Sequence, residues 1–459
     1  SLSPPPPPPQ PILLNVEQPG KFEENDEPSL LQHTGQPTDI QCAVYAGPLR
    51  WRRHPGGKNA PSQMVRALLL SRAPARLAPP RRALLPFASS ALRLLNDGGP
   101  AAQAQATNAA FLRSLSQDRL FWSFRQTAGL RQPNGAKPFG GWERPNAGIR
   151  GHFVGHYLAA LATGGAGGDE SLVELARSAL SVLVECQRSH TRHGRTNYLA
   201  AFPPSEFDKV ESLCFPGCDA WVPHYATQKI LSGLLQMHSE LHLADALPLA
   251  LGMAEYVWER SKATAASKGV EHWAELLNYE VGAMSEVYVQ AASFTNNATW
   301  LQAAELFDRR CFTGPLALAG SLHNADVKGD AAASRPAFAQ GAQEAAAAAT
   351  SLHGMHANAQ LAYMLGVAAR YEASGESNAR LAAEAYFRAI QSSHTYLSGG
   401  SSFMEEWRST PHELESSLHL GGGHHHHHHQ HVGGGRHLAE TLTHRGPRNW
   451  AAHDHQESC

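Results

Sequence analysis

The sequence predicts an all-α protein with its helices paired into an α/α toroid. Three observations carry that reading. Apolar residues recur at helical spacing through residues 106–410, in segments of roughly 12–18 residues. Gly, Pro, Ser and Asp punctuate those segments at short intervals, as tight helix–helix connections require. Period-two alternation, the mark of half-buried strands, is scarce.

The elements follow in chain order. Residues 1–105 form a Pro-, Arg- and Ala-rich extension expected to be largely disordered. Pro4 to Pro9 favours polyproline II, which cannot pack as a helix. Arg50, Arg52, Arg53, Arg66, Arg72, Arg76, Arg81 and Arg82 follow, and a basic docking arm is the alternative for them. Residues 106–459 form the folded domain. Leu172, Leu175, Ala176, Ala179, Leu180 and Leu183 fit one helix face; Ile230, Leu234 and Leu241 suggest the next. Asp245 opens a helix as N-cap ahead of Ala246, Leu247, Ala250, Met253, Ala254 and Val257. Leu361, Met364, Leu365 and Ala368 make a further stripe, and Leu381, Ala385 and Ala389 the last. Two low-complexity inserts, 327–350 and 421–435, interrupt the domain. The second holds His424 to His429, read as a repeat expansion in a flexible loop or as a soft-metal-binding segment.

Composition narrows the function classes. The chain has 459 residues, 38 Lys+Arg against 40 Asp+Glu, and a formal charge of −2. It therefore has no global field to attract nucleic acid or anionic lipid. Apolar residues make up 42%, enough for a large core, yet no run approaches the roughly 20 apolar residues of a membrane span. Six cysteines are too sparse for a disulfide scaffold. The chain starts at Ser1 without a signal-peptide pattern and stops at Cys459, so both ends look cut. Nothing in the pattern sets the oligomeric state.

Five stretches carry chemistry. Gly140-Gly141-Trp142-Glu143 leads into Arg150-Gly151-His152-Phe153-Val154-Gly155-His156. His152 and His156 are four apart and share a helix face, as a polar pocket wall, a metal pair or two core histidines satisfied by backbone carbonyls. The Glu of a zinc-protease helix motif is missing after His152. Trp221-Val222-Pro223-His224-Tyr225 puts aromatics beside polar groups at a helix start, a stacking face for a sugar ring or ordinary loop packing. Nearby Cys214 and Cys218 are a weak zinc or disulfide signal. Asn278-Tyr279-Glu280 and His356-Ala357-Asn358 resemble pocket-lining helix ends. Gly399-Gly400-Ser401-Ser402-Phe403-Met404-Glu405-Glu406-Trp407 delivers two carboxylates next to an indole. An apolar neighbour there keeps a carboxyl protonated for acid catalysis, whereas a solvated surface is the plain alternative. Glu457 and Cys459 at the terminus are spaced to chelate one zinc ion.

Taken together and in this order, these strings resemble the β-L-arabinofuranosidase-like glycoside hydrolases of family 127, most closely the plant and algal members. QTAGL at 126–130, GGWE at 140–143, RGHFVGHYLAALA at 150–162, FP at 202–203, WVPHY at 221–225, KILSGLL at 229–235, HAN at 356–358 and GGSS…EEW at 399–407 carry the resemblance. It implies an (α/α)6 barrel followed by β-sandwich domains. It also implies retaining hydrolysis of L-arabinofuranosyl or related sugars, with a zinc-bound cysteine thiolate as nucleophile and a glutamate as acid/base. Carried over residue by residue, Glu405 aligns with the acid/base, and Glu457 and Cys459 with zinc ligands. His152, His156, Trp221 and His356 become candidate sugar contacts. Relatives carry His where this chain has Gln228, and Gly-Gly-Met where it has Gly282-Ala283-Met284. The nucleophile cysteine would lie beyond Cys459, so the chain is expected to be an incomplete barrel without turnover. The resemblance further implies a secreted or vacuolar protein with a carbohydrate substrate. Two alternatives of other classes stand beside it: a non-catalytic carbohydrate-binding relative, and a metal-buffering protein using its His-rich loop.

Overall fold

The structure, a computed structural model, describes residues 87–94, 98–214, 220–280, 283–327, 347, 349–352, 355–397, 399–402 and 405–407. Nearly all of the N-terminal extension, most of the 327–350 insert, the His-rich insert, Glu457 and Cys459 fall outside them.

Helices are the regular elements of the described residues, whose one extended pairing is a single bridge between His356 and Glu406. Helix α1 spans Pro100–Ser114, with Pro100 at its first turn, where its missing N–H costs nothing. Short α2 (Gln117–Leu120) and α3 (Trp122–Thr127) follow. Then come α4 (His152–Ala166), α5 (Glu170–Arg192), α6 (Ser205–Glu211), α7 (Pro223–Leu241) and α8 (Ala246–Lys268). The remainder are α9 (Val270–Glu280), α10 (Met284–Thr295), α11 (Thr299–Leu306), α12 (Arg310–Val327), α13 (Ala357–Ser374) and α14 (Ser377–Ser393).

Their packing alternates between two layers. Helices α4, α7, α10 and α13 lie side by side in a row. Each also packs on the helix that follows it, α5, α8, α11 or α14. An inner row backed by an outer row is the arrangement of an α/α barrel. No described helix is long and apolar enough to cross a membrane.

Close approach within the inner row depends on glycine. A Cβ on Gly155 of α4 would sit 2.2 Å from the Lys229 carbonyl of α7, and one on Gly233 would sit 2.4 Å from the Gly155 carbonyl. Gly366 of α13 plays the same part, 2.8 Å from the Glu286 backbone nitrogen of α10. These contacts bring backbones together where any side chain would push them apart.

The apolar side chains form two clusters. The larger runs from Ala109 to Phe307 and is rich in Leu, Phe, Tyr and Trp. The smaller, rich in alanine, gathers α12, α13, α14, Leu352, Met355 and Trp407. The α5 stripe is buried as expected, with Leu175 only partly covered and Val173 and Cys186 added. Burial pushes the Cys186 thiol up to about 12, so it behaves as a small apolar residue. Two expectations shift. Asp245 takes the N-cap position of α8 but its side chain makes no cap bond; Asp169 instead caps α5 by accepting from the Leu172 N–H. The α13 stripe is rotated: Ala357, Gln360, Tyr363, Met364 and Val367 face inward, and Leu365 is 60% exposed. Polar residues occupy part of that buried face, so a search for apolar spacing alone finds the wrong angle.

Candidate active site

The starts of the inner helices carry most of the sequence-predicted residues. Gly151 begins α4 with φ +95°, a left-handed conformation that suits glycine. The buried Glu143 carboxylate accepts the Gly151 N–H at 2.9 Å and the Phe153 N–H at 3.1 Å. A carboxylate on free helix N–H groups satisfies donors that otherwise have no partner. Burial raises the Glu143 pKa; the neighbouring His152, those N–H groups and Arg150 oppose it. Helix α7 repeats the device. Pro223 opens it, and the fully buried Glu280 accepts from the His224 and Tyr225 N–H groups at 3.2 and 3.4 Å. Here too burial raises the carboxyl pKa, against His224, whose Nδ1 lies 3.2 Å away. Phe207, Trp273 and Phe307 enclose the His224 ring.

Four of the singled-out rings meet beside the start of α4. Trp142 and Trp221 pack with centroids 5.4 Å apart, Trp142 on His152 at 6.4 Å, and His152 on His156 at 6.0 Å. Gly148 lets the Trp221 segment in, since a Cβ there would stand 2.5 Å from the Trp221 Cβ. The two histidines differ. His152 is 2% exposed and its Nδ1 donates to the Ile149 carbonyl at 2.9 Å. His156, Trp142 and Trp221 are only partly buried and leave ring surface toward solvent.

His356 and Glu405 form the second group. His356 is the N-cap of α13, and its Nδ1 accepts the Ala359 N–H at 3.3 Å. Its Nε2 lies 3.2 Å from Glu405 Oε2, with both side chains about one-third exposed. The Glu405 backbone adopts φ +64°, and its carbonyl accepts the Ala357 N–H at 2.6 Å. Trp407 does not provide the shield expected from the sequence. It is buried in the smaller core against Tyr386 and His394, while Glu405 and Glu406 stay partly exposed.

A polar contact links the first turns of α7 and α13. Tyr225 of α7 donates to Asn358 Oδ1 of α13 at 3.3 Å, and Lys229 Nζ sits 5.0 Å from the Tyr225 ring centre. Gln228 donates to Glu286 of α10 at 3.1 Å. Burial raises the Glu286 pKa, with Lys229 the chief opposing charge.

A family model described as β-L-arabinofuranosidase, GH127 catalytic domain, matches residues 93–419. The chain belongs to this family. No curated protein matches it. The sugar-processing character of GH127 accords with a partly exposed aromatic wall and carboxyl group at one set of helix starts, and it implies a carbohydrate substrate. Among the described residues of this GH127 domain, no group of three or more His, Cys, Asp or Glu side chains could hold a metal ion. Glu457 and Cys459 lie outside the described residues, so no zinc donor set is assembled within them. Sequence reasoning marked Glu280, Tyr225 and Asn358 as pocket-lining positions but found neither the Glu280 cap on α7 nor the Tyr225–Asn358 link, and it passed over Glu286.

Proposed function

We propose that this GH127 domain, in the full-length protein, hydrolyses terminal L-arabinofuranosyl or related sugars of plant-type glycoconjugates. In this reading Trp142, Trp221 and His156 receive the sugar, and Glu405 protonates the leaving oxygen and then activates water. The observation that carries it is the Glu405 carboxyl, partly exposed and tethered to the start of an inner helix. The retaining, zinc-thiolate half of the chemistry rests on the resemblance alone, and elemental analysis of the purified protein tests it. A secreted or vacuolar compartment is what the family resemblance implies, and the disulfide-bonded state of Cys214 and Cys311 accords with it.

Gln228 supports a second reading, a carbohydrate binder without turnover, because its amide is already committed to Glu286. One experiment, on the full-length protein, separates the two. L-Arabinose binding is titrated by tryptophan fluorescence, and release from an aryl β-L-arabinofuranoside is measured in parallel. Hydrolysis lost at least 100-fold in Glu405→Gln, with binding kept, supports the hydrolase. Binding without hydrolysis selects the second reading. Absence of binding overturns both.

A further inference from the structure

We infer that His356 is a positioning residue for Glu405, its imidazole fixed as the Nε2–H tautomer by the helix it caps. This deepens the reading of Glu405 as acid/base and rests on it. The argument begins with the choice of cap. Ser, Thr, Asp and Asn are the usual N-cap residues, because a short side chain reaches the free N–H groups of the first turn. His356 occupies that position in α13, and its Nδ1 accepts the Ala359 N–H. A nitrogen that accepts carries no hydrogen, so in a neutral ring the hydrogen sits on Nε2. That second nitrogen points at Glu405 Oε2, 3.2 Å away, and donates to it. A serine or aspartate would cap the helix but would not reach Glu405.

The backbone prepares the same contact. Glu405 holds φ +64°, a left-handed conformation costly for a residue with a Cβ. Three hydrogen-bonded contacts to the start of α13 retain it. The Glu405 carbonyl accepts the Ala357 N–H, the Trp407 N–H donates to the Met355 carbonyl, and the side chain meets His356. Backbone and carboxylate of Glu405 are thus both held by three consecutive residues, 355–357. With both ring nitrogens engaged, His356 orients the acid rather than touching sugar.

Two substitutions divide the imidazole's tasks. His356→Asn keeps an acceptor where Nδ1 stands and loses the reach to Glu405. His356→Gln keeps a donor near the Nε2 position and loses the short-range cap. We expect His356→Asn to melt at the wild-type temperature, and His356→Gln about 1–2 °C lower, since the loss of one cap is spread over a domain of this size. For hydrolysis by the full-length protein the order reverses. kcat falls at least tenfold in His356→Asn with KM within twofold, and stays within threefold of wild type in His356→Gln.

Long-range 1H–15N spectra report the tautomer without turnover, and the Glu405 side-chain carboxyl 13C resonance, assigned through Glu405→Gln, reports the tether. An Nδ1–H tautomer overturns the proposal. So does a Glu405 resonance that His356→Asn leaves unmoved, or an equal loss of kcat in both variants. If tautomer and resonance behave as stated while Glu405→Gln hydrolyses normally, the tether stands and the acid/base role of Glu405 falls.

Discussion

The two halves of the candidate site are built on opposite terms. At α4 and α7, charge is hidden. Glu143 and Glu280 are buried, spend themselves on helix N–H groups, and sit inside the larger, aromatic-rich core. At α13, charge is displayed. His356 and Glu405 stay about one-third exposed, on a strained backbone at the rim of an alanine-rich core. The first half is closed to solvent; the second leaves its polar side chains partly open to it. A strained backbone persists only where its surroundings hold it, and at Glu405 the contacts to Ala357 and His356 do so.

The sharpest way to break this contrast is Glu280→Ala. It strips the acceptor from the His224 and Tyr225 N–H groups and leaves His224 enclosed by three aromatic rings. Removing one member of such a buried pair costs about 3–5 kcal/mol. Urea denaturation should show that loss, and a change below about 1 kcal/mol would mean the carboxylate is not a structural part of the core.

A second experiment sharpens the picture through pH. His190 on α5 is fully buried against Tyr198, with neither ring nitrogen hydrogen-bonded. Burial, followed by Arg195 and His193, lowers its pKa to about 4. The unfolded chain therefore takes up the His190 proton first as pH falls. The neutral ring's contribution is complete above about 6.5 and drains away between there and 4. Glu143 and Glu280 run the other way: with raised values, their contribution is greatest below the ordinary 4.5 and falls as pH rises. His190→Leu isolates the histidine. Melting curves at pH 7.5 and 4 should show wild type losing more stability than His190→Leu, by on the order of 2 kcal/mol. Equal losses would place the titrating group elsewhere.

Legibility followed the same divide. The α5 and α7 stripes were readable because leucine and alanine at helical spacing have one way to bury themselves. The wall was readable as far as ring chemistry goes, in Trp221, His152 and His156, but not in its division of labour. Whether His152 or His156 faces outward depends on the Ile149 carbonyl, a contact set by the turn before the helix. Glu280 was read only as part of a pocket-lining helix end; its capping of α7 was illegible because its partners, the first N–H groups of that helix, lie more than fifty residues away and have no side-chain signature. Trp407 misled for a related reason. Adjacency to Glu405 in sequence suggested shielding, yet the bridge at 406 turns the indole into the core.

The smallest expected effect is also the most diagnostic. Glu405→Gly removes the Cβ from a residue at φ +64°, where glycine is at ease. It also deletes a hydrogen bond between two partly exposed side chains, which contributes little in water. Relief of the left-handed strain, about 1 kcal/mol, should offset or exceed that loss. Glycine's greater freedom in the unfolded chain takes back part of the gain. The variant should therefore melt at or slightly above the wild-type temperature while losing hydrolysis. A drop of several degrees would show that the Glu405 side chain holds the fold together, as Glu280 does. The two halves of the site would then be alike, and the strain at 405 would have no function to explain it.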